Sequence, residues 1–167
     1  MKNIELGVKG ALADGTYYNL SYFMVDWDNP QLNTSTPVNG YYAVVNGDTA
    51  QINGFDVELS GSAGAIDWNV GYSNKNARLS SDFYTPADTP VLYARSGAKL
   101  PGSPDHTFNL NLAHTSYFGK TDDILSGMGM VNRLDLYAQS STRNYIGDNS
   151  AYDCLLYTSP SPRDYPG

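Results

Sequence analysis

The chain has 167 residues, enough for one domain with a core of its own. Charged residues make up only 16% of it although the mean hydropathy is −0.40, because Asn, Ser, Thr, Gly and 14 Tyr supply uncharged polarity. The net charge of −7 comes without a basic run, which argues against nucleic acid as a partner, and no apolar stretch approaches the roughly 18 residues of a membrane helix.

The N-terminal region predicts two strands joined by a tight turn. Residues 2–12 alternate between apolar and polar side chains, which is the period of a strand with one apolar face. Ala13-Asp14-Gly15 is typical of a tight turn. Residues 16–27 are rich in aromatic and β-branched side chains and predict the second strand, although its faces alternate less cleanly.

Four further strands are predicted, over residues 49–60, 66–73, 107–112 and about 124–139. Short turns at 61–64 and 119–122 join the third strand to the fourth and the fifth to the sixth. Long polar segments, about 28–48 and 80–104, join the other pairs.

This alternation of short and long connections predicts the architecture. Loops of more than about 15 residues are uncommon in compact domains, whereas outer-membrane barrels combine short periplasmic turns with long extracellular loops. The fold class is therefore predicted to be all-β: an antiparallel, transmembrane β-barrel segment of about six strands that forms an incomplete barrel. The apolar faces would contact membrane lipid. A soluble all-β ligand-binding module, such as a lectin-like sandwich, is the alternative, because alternation also fits strands that bury one face in a core.

The C-terminal segment changes character abruptly. Residues 154–164, Cys-Leu-Leu-Tyr-Thr-Ser-Pro-Ser-Pro-Arg-Asp, match the translation of a transposase adapter used in sequencing libraries, one residue for one. We therefore expect residues 154–167 to be a non-native tail and residues 1–153 to be the partial barrel. The tail holds the chain's one cysteine.

Three segments, in order, resemble the barrel of TonB-dependent receptors. They are Tyr18-Asn19-Leu20-Ser21-Tyr22-Phe23 running on to Asp26-Trp27-Asp28-Asn29, then Asn46-Gly47 with Gly54-Phe55-Asp56-Val57-Glu58-Leu59, and Gly97-Ala98-Lys99-Leu100-Pro101-Gly102-Ser103-Pro104-Asp105-His106. Asp56 stands where the family more often has Glu.

The resemblance implies a parent protein in the bacterial outer membrane. Its barrel would have roughly 22 strands around a plug domain. It would import a scarce nutrient, most often a ferric siderophore, with energy from TonB. We expect the plug and the remaining strands to belong to that parent, so that this chain is a fragment of the importer.

Two sets of candidate site residues follow from the predicted faces and loops. The charged residues of the polar strand faces are expected to face the lumen, mostly pairing with each other across strands. They are Glu5, Lys9, Asp56, Glu58, Asp67, Arg133 and Asp135. In the second long loop, Tyr84, Tyr93 and Arg95 are candidates for substrate contact, because loops often carry recognition.

No pattern in the sequence predicts a catalytic, metal or cofactor site. His106 and His114 lie eight residues apart on one strand, a separation of about 26 Å at 3.3 Å per residue, which is too far to share an ion. They are expected at the two membrane interfaces. No Ser, acid and His spacing suggests a triad, and the protein is predicted not to be an enzyme.

Overall fold

The computed structural model describes residues 1–35, 42–84, 90, 92–118, 128–143 and 146. In these residues the secondary structure consists of strands. They are β1 (Lys2–Ala11), β2 (Tyr17–Asp28), β3 (Gln31–Ser35), β4 (Tyr42–Asn46), β5 (Thr49–Ala63), β6 (Ile66–Leu79), β7 (Phe83–Tyr84), β8 (Leu92–Ala94), β9 (His106–Phe118) and β10 (Met128–Gln139).

Six long strands form one antiparallel sheet in the order β1-β2-β5-β6-β9-β10. The sheet is open, so the predicted all-β architecture of six antiparallel strands in an incomplete barrel is confirmed. Among the described residues, no helix is long and apolar enough to cross a membrane.

Three predicted strand ends were wrong, and two predictions lie outside the described residues. Strand β9, predicted over 107–112, continues to Phe118. Strand β5 continues to Ala63, so residues 61–63 belong to the strand and the turn is only 64–65. Strand β6 runs on to Leu79, six residues beyond the predicted end at 73. The turn predicted at 119–122 lies outside the described residues, as does the tail 154–167.

We call the end of the sheet where β1 meets β2 and β5 meets β6 the turn end, because short connections close it. At the first of these turns, the backbone N–H of Leu12 donates to the carbonyl of Thr16 at 2.8 Å, and Gly15 adopts a φ of 85°. The Asp14 carboxylate accepts from the backbone N–H of Thr16 at 2.9 Å. This hydrogen bond holds the pKa of Asp14 below its ordinary value, because it stabilises the charged form.

The opposite end, which we call the loop end, carries the buried core. The long connections, predicted from the sequence only as polar segments, contain two small hairpins, β3–β4 and β7–β8. Their apolar side chains pack against the ends of β5 and β6. The core consists of Leu32, Ala50, Ala77, Leu79, Phe83, Ala94, Leu100 and Ile146. The fold therefore buries apolar side chains mainly where the long loops fold back on the sheet.

Candidate functional site

The pairing register sorts the side chains of the six long strands into two faces. Paired residues in neighbouring strands point to the same side of the sheet. A row of paired residues is therefore mainly apolar or mainly polar across the strands. One such row runs through Val8, Leu20, Val57, Tyr72 and Phe108. The apolar face comprises Ile4, Leu6, Val8, Leu20, Tyr22, Met24, Phe55, Val57, Leu59, Trp68, Val70, Tyr72, Phe108, Leu110, Leu112, Leu134 and Leu136.

Much of this apolar face is uncovered. Leu6 is 76% exposed, Val8 54% and Leu134 48%. A shallow groove lies on it between Leu6, Leu20 and Phe55. Exposed apolar patches of this extent are rare on monomeric soluble proteins and mark surfaces that contact another apolar phase or partner.

The polar face carries all seven charged residues that the sequence placed together. Its members are Glu5, Lys9, Asn19, Ser21, Asp56, Glu58, Asp67, Asn69, Ser73, Lys75, Thr107, Asn109, Asn111, Arg133 and Asp135. This face carries five carboxylates and three cationic side chains. The face is therefore wet and slightly acidic.

Asparagines connect this face across four strands. The side-chain amide of Asn69 donates to Glu58 at 3.0 Å, and that of Asn109 donates to Asn69 at 3.2 Å and, more weakly, to Asn111 at 3.5 Å. Asn111 in turn donates to Asp135 at 2.8 Å. We call these five residues the amide ladder. Hydrogen bonds that involve a carboxylate are the stronger ones, so the two ends of the ladder anchor it.

The ladder corrects one expectation from the sequence. Within the described residues, no ion pair joins any two of the seven predicted charged residues. Three of them instead accept from neutral groups: Glu58 from Asn69, Asp135 from Asn111, and Asp67 from the Ser62 hydroxyl at 2.6 Å. Cross-strand pairing of charges is thus replaced by charge–amide and charge–hydroxyl contacts.

Two glycines make room on this face. A Cβ on Gly71 would overlap the Asn109 side chain, so the glycine lets the ladder cross β6. A Cβ on Gly54 would overlap the backbone carbonyl of Asn74 and come within 2.9 Å of the Phe23 ring. Phe23 therefore packs across Gly54, which explains how this aromatic side chain fits on the polar face.

The three residues predicted for substrate contact lie on or beside the β7–β8 hairpin. Tyr84, which is paired with Leu92, is 50% exposed, and Arg95 is exposed just after β8. Tyr93 is half-buried, and its ring packs edge-on against Phe83 with centroids 5.9 Å apart. The accessible members of the set are therefore Tyr84 and Arg95.

Both histidines occupy the apolar side of β9, far apart along the strand. His106 lies at the loop end, where its ring meets the Tyr72 hydroxyl at 2.9 Å and the Asn74 amide at 3.1 Å. His114 pairs in register with Ile66 near the turn end. In the described part of the chain, no group of three His, Cys, Asp or Glu side chains is placed to hold a metal ion.

Sequence reasoning did not identify the amide ladder as a network. Asn109 and Asn111 alternate with leucines in β9, so their face was readable, but their partners depend on register.

The chain was compared with known proteins in three ways. A family model described as "TonB dependent receptor-like, beta-barrel" matches residues 1–163. Searches of curated proteins and of solved structures gave no match.

Proposed function

Because the chain belongs to the TonB-dependent receptor β-barrel family, whose members are transporters rather than enzymes, we propose that its sheet forms part of the wall of a bacterial outer-membrane importer. The apolar face contacts lipid, and the polar face lines the lumen. In the intact parent, a plug domain occupies the lumen, and TonB supplies the energy for import.

The observation that carries this proposal is the uncovered apolar face on six neighbouring strands. Transfer of apolar surface out of water is worth roughly 25 cal/mol per Å². A lectin-like sandwich would gain this energy by laying a second sheet on the apolar face, and the described residues contain no such sheet. Lipid supplies the same gain for a barrel wall, whose opposite face stays wet.

The connections give the wall a direction in the membrane. The short turns at 12–16 and 64–65 face the periplasm, and the loop end with the two hairpins faces outward. Tyr84 and Arg95 are then on the side from which cargo arrives. We propose that they contact a scarce nutrient such as a ferric siderophore, with an aromatic surface and a cationic donor as the recognition elements.

Spin labels on adjacent strand residues test the orientation of the two faces. Replacing Cys154 with Ser leaves a chain without cysteine, and single cysteines then replace Leu20 or Ser21 on β2, and Leu134 or Arg133 on β10. In lipid vesicles, labels at 20 and 134 should collide mainly with oxygen, which concentrates in lipid. Labels at 21 and 133 should collide mainly with a water-soluble nickel chelate.

Each pair has the same depth and differs only in face, so each is its own control. Equal nickel accessibility within both pairs would contradict a lipid-facing apolar face. A monomer that unfolds cooperatively in detergent-free buffer would also contradict it.

A further inference from the structure

Three chain segments meet at the loop end: two consecutive ones, and a third that lies beyond β9 and β10 in the sequence. The segment 95–105 runs along β6, where the N–H of Leu79 donates to the Ala98 carbonyl and the N–H of Leu100 donates to the Ala77 carbonyl, both at 2.9 Å. Phe83 and Ala94 of the β7–β8 hairpin share the core with Leu100. The segment that follows β10 reaches the same place, because Ile146 is fully buried in that core.

One buried cation joins two of these segments. The Lys99 ammonium lies 2.9 Å from a carboxylate oxygen of Asp105, and it donates to the backbone carbonyl of Ser141 at 3.2 Å. The Lys99 side chain is only 10% exposed. The other Asp105 oxygen is buried without a hydrogen-bond partner, so Lys99 is the main compensation for that charge.

Backbone and hydroxyl contacts surround the ion pair. The Ser140 hydroxyl accepts from the N–H groups of Asp105 and His106, at 2.9 and 3.1 Å. The N–H of Gly102 donates to the Arg143 carbonyl at 2.8 Å. The entry to β9 and the exit from β10 are thus linked beyond the end of their strand pairing.

We infer that Lys99, held by its ion pair with Asp105 and donating to the Ser141 carbonyl, is a clasp that fastens segment 95–105 to segment 140–143 and so makes the loop end one preassembled unit. Without the clasp, only the hydrogen bonds of Ser140 and Gly102 would join the two segments, which are anchored to different strands. With the clasp formed, segments 95–105 and 140–143, which support the β7–β8 hairpin, are already ordered before a ligand binds. The clasp does not depend on the proposed function, because its contacts are internal to the chain.

Hydrogen exchange of the full chain in detergent micelles tests the clasp with Lys99→Met, which keeps the aliphatic stem and removes the charge. The N–H groups of Gly102, Asp105 and Ser140 should exchange about tenfold faster or more, because the half-buried Asp105 carboxylate loses its ion partner and segment 140–143 loses its hydrogen bond to Lys99. The N–H groups paired between β5 and β6 should change by less than about twofold. Lys75→Met is the matched control, since Lys75 lies on the polar face of β6 and has no ion pair in the described part of the chain.

A double variant distinguishes a clasp from a merely structural lysine. Asp105→Asn removes the unpaired charge that Lys99→Met creates, so the two changes together should accelerate exchange less than the product of their separate effects. Unchanged exchange at Gly102 and Ser140 in Lys99→Met would overturn the clasp. Acceleration that spreads equally to the β5–β6 pairs would also overturn it, because the ion pair would then support the whole sheet.

Discussion

The two ends of the sheet are stabilised in different ways. At the loop end, eight apolar residues of the described part of the chain are buried, and Leu79 is only 2% exposed. At the turn end, Tyr17, Ile66 and Met128 are all exposed, and the described residues hold together mainly through backbone pairing. The same strands are thus covered by other parts of the chain at the loop end and have exposed apolar side chains at the turn end.

This difference indicates where the chain depends on its surroundings. The loop end carries its own hydrophobic contacts, and a clasp would fasten them. The turn end gains comparable burial only from lipid or from the rest of a barrel. Paired substitutions, one at each end, test whether this contrast holds.

The largest expected effect comes from truncating a leucine at each end. Leu79→Ala should lower the free energy of unfolding by about 2–4 kcal/mol, because it leaves a cavity in a packed core. Leu134→Ala should cost about 1 kcal/mol or less in micelles, because detergent chains refill the space and only part of the transfer energy is lost. Denaturant unfolding of both variants in the same micelles measures the two values. Equal costs would show that the loop end is no better packed than the turn end.

A smaller effect is expected from adding a methyl group to Gly54, in the half of β5 nearer the loop end, and to Gly129, at the turn end. Gly54→Ala should cost about 2 kcal/mol, because its Cβ overlaps the backbone carbonyl of Asn74, which cannot rotate away. Gly129→Ala should be neutral or stabilise by about 0.5 kcal/mol, because the nearest atoms belong to the Tyr117 ring at 3.4 Å and the unfolded chain loses freedom. The same unfolding experiment measures both. A Gly129→Ala variant as damaged as Gly54→Ala would contradict an open turn end.

The smallest effect concerns the first turn and depends on pH. The folded-state pKa of Asp14 is lowered by the Thr16 N–H, so the turn is stabilised above the ordinary aspartate value and loses that stabilisation as the pH falls through the lowered pKa. The chemical shift of the Thr16 amide proton should titrate with a midpoint below 3.8. Asp14→Asn should abolish the titration. A midpoint at or above the ordinary value would mean that the hydrogen bond does not persist in solution.

The sequence predicted the six strands because side-chain alternation is a local property of the chain. Residues 2–12 and the leucines of β9 have a period of two, so their faces are readable without knowledge of the neighbours. The hairpins β3–β4 and β7–β8 were missed because they are short and sit in polar segments. Their order comes from packing Leu32 and Phe83 on the ends of β5 and β6.

The sequence likewise predicted one part of the candidate site, the face on which its residues lie, and missed another, their hydrogen-bond partners. Alternation alone placed Glu58, Asp67 and Asp135 on one polar face, which the register reproduces. It did not predict that they would bind asparagine and serine rather than lysine and arginine, because the partner of a side chain is set by register with another strand.

The sequence by itself thus determined the strands, their two faces and the difference between short and long connections, since each follows from the alternation and turn chemistry of consecutive residues. Only the tertiary structure decided which distant residues meet. Lys99 and Ser141 are 42 residues apart in the chain, and they come together because β6, β9 and β10 are neighbours in the sheet. The physical reason is that strand period is encoded locally, whereas register and loop packing depend on energies summed over the whole sheet.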